Sequence, residues 1–176
     1  RRLIEKGVDL RSSTAGDVSG AVGLLWEEPS VQARFEDTGS LAPESCEKLG
    51  LVGPVARACG LHRDVRQEFP SGIYRFTQIP VSTWHTGDVF ARAYVRWMEI
   101  QSSIAFVREQ MRALPGGGTR AEIGAPAGNR AAVSLVEAWR GEICHVALTD
   151  AAGRFARYKI VDPSFHNWSA LAYALR

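Results

Sequence analysis

The longest regular pattern of apolar positions predicts one long helix near the middle of the chain. Aromatic and aliphatic residues recur at helical spacing along one side of it, namely Phe90, Tyr94, Trp97, Ile104 and Met111. Gly87-Asp88 favours a helix start, because a carboxylate is stabilised at the positive end of the helix dipole, and Pro115 ends the pattern. We therefore predict a central helix over residues 87–115. Its apolar surface is broad enough to contact more than one neighbour, so we expect it to lie in a helical bundle.

The first part of the chain, residues 1–86, predicts short helices joined by loops. Pro29 breaks one apolar segment, and Pro43 and Pro54 stand where new helices can begin, since the N–H that proline lacks is not needed in a first turn. The segment 73–79 alternates apolar and polar residues and lies between two prolines. This alternation predicts a strand at the edge of a sheet.

The last part, residues 116–176, predicts a small sheet. After a glycine-rich segment come three apolar runs, over residues 132–136, 143–149 and 155–161, with a glycine-containing turn between the last two. Such a series predicts an antiparallel β-meander, and the residues that follow predict the start of a terminal helix. The fold class expected is therefore α+β, with a long central helix in a helical bundle and a small antiparallel β-meander, all in one domain.

Composition changes this picture little, but it excludes some functions. A chain of 176 residues can bury a core of its own. The 21 basic and 19 acidic residues are interspersed, so no one-sided basic surface indicates a nucleic-acid partner. No apolar run approaches the roughly 20 residues that cross a bilayer, so we expect no direct membrane span and a cytoplasmic location. Because the chain starts without methionine and stops within a predicted helix, we interpret it as a piece of a longer polypeptide.

The three cysteines, Cys46, Cys59 and Cys144, are scattered singly. Without a Cys-x-x-Cys pair, they indicate reduced thiols rather than a disulfide framework or a zinc site.

Residues 137–145 concentrate chemical groups where a strand begins. Arg140 beside Gly141 could present a permanent positive charge to an anion or a polarised ligand, or it could pair with a glutamate at the surface, either Glu137 or Glu142. His145 could carry a proton, or it could be a structural residue that makes one hydrogen bond. In a regular strand Arg140 and His145 point to opposite faces, so they share a site only where Gly141 lies in a β-bulge.

A charged stripe follows the first half of the central helix, formed by Asp88, Arg92, Arg96 and Glu99. At this spacing the side chains lie on one face. They could form a solvated face with ion pairs between successive turns, or a polar network buried between helices.

Several of these segments occur in the order found in one family. They are Gly53-Pro54 with Arg57-Ala58-Cys59-Gly60, Asp64-Val65-Arg66, Gly87-Asp88 with Arg92, Arg96 and Glu99, Glu137-Ala138-Trp139-Arg140-Gly141-Glu142, and Pro163-Ser164-Phe165 with Asn167. With them the chain resembles the large subunit of membrane-bound, energy-converting nickel-iron hydrogenases and formate hydrogenlyase. It resembles equally a relative of that subunit, the quinone-site 49 kDa subunit of respiratory NADH:quinone oxidoreductase.

The resemblance implies roles for some residues. Arg140-Gly141 matches the hydrogenase segment whose arginine lies over the nickel-iron centre, although Trp139 replaces its proline, and His145 matches a family histidine near that centre. The match of His145 favours a strand distorted around Gly141. The charged stripe matches the family's charged helix, which favours the buried network. Arg140 and His145 are accordingly the candidate catalytic residues.

The resemblance also implies what this segment lacks. Arg57-Ala58-Cys59-Gly60 begins like the family's nickel-binding signature, but His62 stands where the second cysteine belongs, so Cys59 is interpreted as a small buried residue. The paired cysteines of the family lie near the two ends of the full chain. We therefore expect no cofactor or metal ligand in this segment, which would be inactive alone. The parent protein would carry a nickel-iron centre or help to reduce quinone.

The same resemblance implies partners and an alternative. An iron–sulfur small subunit, with its clusters, and other subunits of a membrane-bound respiratory or hydrogenase complex are the expected partners, with quinone possible in the 49 kDa type. The complex would hold the chain in the cytoplasm, on the inner face of the membrane. The alternative is a non-catalytic scaffold or assembly homologue that has lost its metal ligands.

Overall fold

The computed structural model describes residues 16–118 and 120–175. Residues 16–27 are helical and are labelled α1. The elements after them are α2 (Pro29–Phe35), α3 (Pro43–Lys48), α4 (Gly53–Ala58), α5 (Val65–Glu68), a 3₁₀ helix (Gly72–Arg75), α6 (Val89–Arg112), β1 (Ala131–Ala138), β2 (Gly141–Thr149), β3 (Phe155–Val161) and α7 (Ser164–Ala174). The mixture of helices and one small sheet agrees with the predicted α+β class.

The short helices begin where proline fits the first turn. Pro29, Pro43 and Pro54 each occupy one of the first two positions of their helices, which are α2, α3 and α4. The long helix α6 has 24 residues, and its N-cap is Asp88, whose carboxylate accepts a hydrogen bond from the backbone N–H of Ala91. The predicted central helix is therefore confirmed.

The apolar side of α6 collects aromatic rings. Trp26 of α1 packs against Phe90, Tyr94 and Trp97, with ring centroids 5.4 to 6.2 Å apart. Trp84, in the loop before α6, contacts Tyr94 edge-on. Aromatic pairs at these separations add stability beyond the apolar area that they bury. These contacts hold α1 and the loop against α6, and the regular bundle stays a prediction.

The predicted edge strand over residues 73–79 is wrong. Residues 72–75 form a 3₁₀ helix instead, and the carbonyl of Ile73 accepts hydrogen bonds from the N–H groups of Phe76 and Thr77. Tyr74 stacks on Phe106 of α6, with centroids 5.7 Å apart. A strand needs a neighbouring strand for its backbone groups, and here those groups are satisfied within the turn.

The predicted meander is confirmed. The three strands pair antiparallel in the order β1-β2-β3. Ala138 pairs with Gly141, so Trp139 and Arg140 form a two-residue turn between β1 and β2. The pairing of β2 with β3 shifts register between Leu148 and Thr149.

The buried apolar core is small and lies among the helices. Its larger cluster joins α3, α4 and α7 and contains Leu41, Cys46, Leu51, Ala56, Cys59 and Ala170. A second cluster, of Ala58, Ala91 and Val95, connects α4 to α6. The helix α4 therefore contributes to both clusters. Its one charged residue, Arg57, is buried between them.

One close approach fixes the sheet against the helices. Gly53 opens α4 with φ +65°, and a Cβ added there would lie 2.2 Å from the Cα of Gly141. The same added atom would lie 2.7 Å from the carbonyl oxygen of Arg140. Only glycine has both the backbone conformation and the absence of a side chain that this contact needs.

Within residues 16–118 and 120–175, none of the helices combines the length and the apolar character needed to cross a bilayer.

The Gly53–Gly141 contact leads to a stability prediction. Gly53→Ala should lower the free energy of unfolding by about 2–5 kcal/mol, because it combines an unfavourable φ with a steric clash against backbone. Gly20→Ala is the matched control, since an added Cβ there meets nothing within 4 Å and alanine favours a helix. Urea unfolding measures both variants. A Gly53→Ala variant as stable as the control would contradict this account of the contact.

Candidate functional site

The centre of the site is the buried side chain of Arg57 in α4, which is 1% exposed. Its Nη1 atom donates hydrogen bonds to the carbonyl oxygen of Arg63 at 2.8 Å and to Oε1 of Glu137 at 2.9 Å. Its Nη2 atom lies 2.8 Å from Oε1 of Glu99. Arg57 thus connects α4 to β1 and to α6 through two carboxylates.

A second ion pair adjoins the first. Arg66 donates from Nε to Oδ1 of Asp64 at 2.8 Å and also binds the other carboxylate oxygen through Nη2. Asp64 is 2% exposed and lies 3.5 Å from Nη1 of Arg57. Its Oδ1 atom caps α5 by accepting the N–H of Arg66 at 2.9 Å. We call these five residues the charge cluster, namely Arg57, Asp64, Arg66, Glu99 and Glu137.

The charge cluster contains two guanidinium groups and three carboxylates. With every group ionised it carries one uncompensated negative charge. Burial raises the pKa of both Glu99 and Glu137, against the opposing effect of Arg57. Burial also acts to raise the pKa of Asp64, but the hydrogen bonds and charge of Arg66 outweigh it and hold this pKa below its ordinary value. Protonation of the cluster is therefore favoured at Glu99 or Glu137 rather than at Asp64.

Glu137 connects the sheet to the helices. One carboxylate oxygen binds Arg57, and the other accepts the backbone N–H of Val65 at 3.2 Å, at the start of α5. The surface pairing of Glu137 with Arg140 that the sequence left open is therefore not formed. The charge of Glu137 is used inside the protein, where the buried Arg57 needs a partner.

Of the predicted charged stripe, Asp88 caps α6 and the other three residues lie within the helix, but their charged groups do not form ion pairs with one another. Asp88 is 3% exposed and accepts hydrogen bonds from Ala91 N, Thr86 Oγ1 and Asp37 N at 2.7, 2.8 and 3.0 Å. Arg92 donates from Nη1 to two loop carbonyls, those of Gly39 and Gly87. In the described part of the chain, no ion pair joins any two members of the stripe.

The remaining two members of the stripe reach towards the sheet. Arg96 is partly buried and donates to the carbonyl of Arg92 at 2.9 Å. Its guanidinium carbon lies 5.9 Å from the ring centroid of Trp139, in cation–π range. Glu99 belongs to the charge cluster. The stripe therefore holds three parts of the protein against α6, namely the loops at Gly39 and Gly87, the hairpin turn between β1 and β2, and the helix α4.

Arg140 lies in the hairpin turn with its side chain exposed. Its backbone is held by α7, because Asn167 Nδ2 donates to the Arg140 carbonyl at 3.2 Å. Asn167 also accepts the N–H of Val52 at 3.1 Å, next to the contact of Gly53 with the turn. Among the described residues, no ion pair joins Arg140 to Glu137 or Glu142. A well-held backbone thus carries an exposed permanent charge.

His145 lies within β2 and contacts β3. Its Nδ1 atom is 2.7 Å from the hydroxyl of Tyr158, and the two rings pack edge-on with centroids 5.8 Å apart. This is the single hydrogen bond expected of a structural histidine. A phenol hydroxyl and an imidazole at this distance can also exchange a proton.

The structure does not bring Arg140 and His145 together. The pairing of β1 with β2 is regular from Leu148 to Gly141, so the β-bulge that a shared site would need at Gly141 is absent from this ladder, although the backbone of Gly141 has the unusual φ of +132°. Arg140 lies in the turn, where the chain reverses without a bulge. Four residues of strand separate Gly141 from His145 by about 13 Å.

The charge cluster as a unit was not predicted from the sequence. Arg57 and Asp64-Val65-Arg66 were noticed only as pieces of a pattern, and Glu137 only as a surface partner. One signal in the sequence could have revealed that Arg57 is the centre of the cluster. Arg57 lies in a short helix whose neighbouring residues, Val55, Ala56, Ala58 and Cys59, are all apolar, and an arginine there is buried only when carboxylates accompany it.

In the ranges 16–118 and 120–175, no group of three or more His, Cys, Asp or Glu side chains is arranged to hold a metal ion. Cys46 and Cys59 are buried in the core, and Cys144 lies on β2. These residues do not fit the donor set that a nickel-iron centre requires.

Comparison with known proteins finds one family. The family model described as "Respiratory-chain NADH dehydrogenase, 49 Kd subunit" matches residues 3–126. The sheet and α7 lie beyond this match, so Arg140 and His145 are outside it.

Curated relatives extend further along the chain. The chain is 36% identical to the carbon monoxide-induced hydrogenase of Rhodospirillum rubrum over 85% of its own length and 42% of the relative. It is 35% identical to an NADH-quinone oxidoreductase subunit of Desulfotalea psychrophila over 76% of its length and 37% of that protein. It is 29% identical to formate hydrogenlyase subunit 5 of Escherichia coli, over 91% of its length and 28% of that protein. The chain thus spans less than half the length of these relatives.

A solved structure shares the fold. One chain of the membrane-bound sulfane sulfur reductase, described as an archaeal respiratory membrane complex, superposes with a TM-score of 0.85 at 22% identity. The match covers 99% of this chain and 48% of the other. The arrangement of helices and meander described above is therefore a known one.

The charge cluster leads to a prediction about Arg57. Arg57→Met should lower the free energy of unfolding by about 3–5 kcal/mol, because it leaves buried carboxylates without their cation. Arg154→Met is the control, since the Arg154 side chain is 81% exposed beside Asp150, and such a surface pair contributes less than about 1 kcal/mol. Chemical denaturation compares them. If both variants lost the same small amount of unfolding free energy, the central role of Arg57 would be contradicted.

The raised pKa of Glu99 leads to a pH prediction. Burial favours the protonated form in the folded state, so the unfolded chain releases its proton first as the pH rises above 4.5, the ordinary value. This ionisation reduces stability through that window until the pH passes the folded pKa. Arg57 and Arg66 oppose the effect, and Asp64 adds to it.

Glu99→Gln removes this titration. We expect the stability of the variant, relative to the unchanged chain, to rise as the pH increases from about 4.5 upwards. Glu109→Gln, on an exposed position of the same helix, is the control. Thermal unfolding at a series of pH values measures both. A stability difference for Glu99→Gln that stays constant with pH would show that Glu99 does not bind this proton.

Proposed function

The chain belongs to the family of the 49 Kd subunit of respiratory-chain NADH dehydrogenase, and from this premise we propose that it is a core segment of the large subunit of a membrane-bound oxidoreductase complex. Its relatives carry the names of hydrogenase and of quinone oxidoreductase subunits, so the reaction served is either hydrogen turnover or electron transfer to quinone. The segment contributes scaffold and charged residues and is inactive alone.

The observation that carries the proposal is the fixed hairpin turn with its exposed arginine. The turn is held by Gly53 of α4 and Asn167 of α7, and Trp139 lies under the Arg96 guanidinium. The nearby charge cluster ties the strand before the turn to α4 and α6. The turn is therefore positioned by α4, α6, α7 and β1. Such positioning favours a role in which the location of the Arg140 charge matters.

In this proposal Arg140 presents its charge to a reacting group held by other parts of the full protein. A guanidinium stays protonated at any working pH, so it can attract an anion or stabilise developing negative charge. His145 and Tyr158 form a separate hydrogen-bonded pair on the sheet, which could carry a proton. Because the described residues do not fit a nickel-iron centre, the ligands of such a centre would come from elsewhere in the parent.

Exposed apolar side chains support the expected partners. On α7 alone, large side chains are at least half exposed, among them Phe165, Trp168, Leu171 and Tyr173. Apolar patches of this kind are usually covered by another protein surface. We propose that the remainder of the large subunit, an iron–sulfur small subunit with its clusters, and further complex subunits cover them. This assembly would hold the chain in the cytoplasm, on the inner face of the membrane, with quinone a possible ligand.

A non-catalytic scaffold is the second candidate. The residue that favours this candidate is His62, because the nickel-binding signature has its second cysteine at that position. In this alternative the homologue would bind the small subunit and the membrane subunits without performing chemistry.

Isolation of the intact complex tests the proposal. The full protein, tagged and purified from its membranes, should carry other oxidoreductase subunits with it. Nickel together with hydrogen evolution from a reduced viologen indicates the hydrogenase type, and quinone reduction without nickel indicates the quinone type. Partner subunits with neither activity nor nickel indicate the scaffold. A protein that purifies without any oxidoreductase partner contradicts the proposal.

Arg140 provides the site-specific prediction. In a complex that turns over hydrogen, Arg140→Ala should reduce the turnover rate by about 10²-fold, the usual effect of removing one charge-stabilising donor. Stability should change by less than about 0.5 kcal/mol, because the side chain is exposed. Arg157→Ala, an exposed arginine of β3, is the control and should keep full activity. Unchanged hydrogen turnover in Arg140→Ala would exclude the proposed role.

A further inference from the structure

Among the described residues, no carboxylate forms an ion pair with Arg92 of α6, although this side chain is partly buried. Its Nη1 atom donates to the carbonyl of Gly87 at 2.7 Å and to that of Gly39 at 3.1 Å, which fixes the guanidinium. Asp88, one turn earlier, uses its oxygens for hydrogen bonds to other groups. The Nε and Nη2 atoms of Arg92 form no hydrogen bond with any residue that the structure describes, so one edge of the guanidinium is unused.

A cavity of about 130 Å³ lies beside this guanidinium, and Arg92 lines it together with Asn167. The rest of the wall is apolar and consists of Leu41, Val55, Ala170, Leu171 and Ala174. The Asn167 side chain already bonds to backbone, because it accepts from and donates to Val52 and also donates to the carbonyl of Arg140. Among the lining residues, Arg92 is therefore the side chain with hydrogen-bond donors to spare.

The charge of Arg92 is incompletely balanced in this position. Burial lowers the pKa of Arg92, because its surroundings disfavour the charged form, and the opposing charge of Asp88 does not outweigh this effect. An arginine nevertheless keeps its proton in proteins, so the cavity wall carries a permanent positive charge. An anion that enters the cavity would supply the missing partner.

We propose that this cavity is a binding site for a short aliphatic monocarboxylate, of roughly two to four carbons. The two carboxylate oxygens accept hydrogen bonds from Nε and Nη2 of Arg92, and the alkyl chain contacts the apolar wall. This ligand site goes beyond the proposed function and does not depend on it, since it involves neither the hairpin turn nor the charge cluster.

The geometry favours a carboxylate over other anions. The unused edge of Arg92 has two parallel donors, which match the two oxygens of a carboxylate. A phosphate or sulfate would bring further oxygens and charge, and the apolar wall has no donors for them. Size sets the length of the alkyl chain, because an apolar cavity of about 150 Å³ admits a molecule as large as benzene. Leu171 is 59% exposed, so the wall reaches the protein surface and a ligand can enter there.

Calorimetric titration of the full protein tests the proposal, with sodium propionate as the probe and sodium chloride keeping the ionic strength constant. One propionate per chain should bind with a Kd of about 1 mM, an affinity within reach of so few heavy atoms. Propionamide has the same shape without the charge and should bind at least about tenfold more weakly. Nuclear Overhauser effects from the propionate methyl group to Leu171 and Ala174 should locate the ligand.

Variants assign the binding to this cavity. Arg92→Gln should weaken propionate binding at least about tenfold, because the charge and the two parallel donors are lost. Ala174→Met should weaken it as much by filling the cavity, and it leaves the contacts of Arg92 with the loops in place. It therefore decides the matter even where Arg92→Gln folds poorly. Arg157→Gln, at an exposed position of β3, is the matched control and should bind propionate as the unchanged chain does.

Three results would overturn the proposal. The first is undiminished affinity for propionate in either Arg92→Gln or Ala174→Met, and the second is equal binding of propionamide. The third is a titration without saturation at about ten times the expected Kd, including the case in which an acidic side chain of the parent protein already fills the cavity. Enzyme activity does not enter these measurements, so their failure would leave the proposed function untouched.

Discussion

The structure depends on one buried cation. Arg57 lies at the meeting point of α4, α6, the start of α5 and the first strand, and its guanidinium reaches carboxylates from the last three of these elements. Once it is buried, an arginine must keep its partners, since an unpaired charge in the interior is far more costly than a missing surface pair. The positions of Glu99 and Glu137 follow from this requirement. So does the alignment of the sheet with the long helix, because Glu137 lies on β1.

The same constraint explains why the exposed turn is well placed. Glu137 precedes Trp139 and Arg140 by only a few residues, and the turn is also held by Gly53, Asn167 and Arg96. The buried ion pairs around Arg57 therefore help to position the exposed charge of Arg140. The cluster has one carboxylate more than it has guanidinium groups, and burial raises the pKa of Glu99 and of Glu137, which favours the binding of a proton there.

Particular residues show where the sequence was sufficient. The helix over Val89–Arg112 and the meander followed from local signals, namely an acidic N-cap, a terminating proline, and apolar runs separated by turn residues. The segment 73–79 has an equally clear alternation and is not a strand, because its backbone groups are satisfied within a 3₁₀ turn rather than by a neighbouring strand. The parity argument for Arg140 and His145 assumed that both lay in a strand, and Arg140 lies in the turn.

The sequence by itself determined the fold class, the order of the main helix and the meander, and the family, because these depend on local periodicity and on ordered short motifs. Only the tertiary structure decided which charges are buried together. Arg57 and Glu137 are separated by 80 positions, and no local pattern records that they touch. Partners of a buried charge are set by how the elements pack, since the low polarity of the interior, rather than sequence spacing, determines which ion pairs must form.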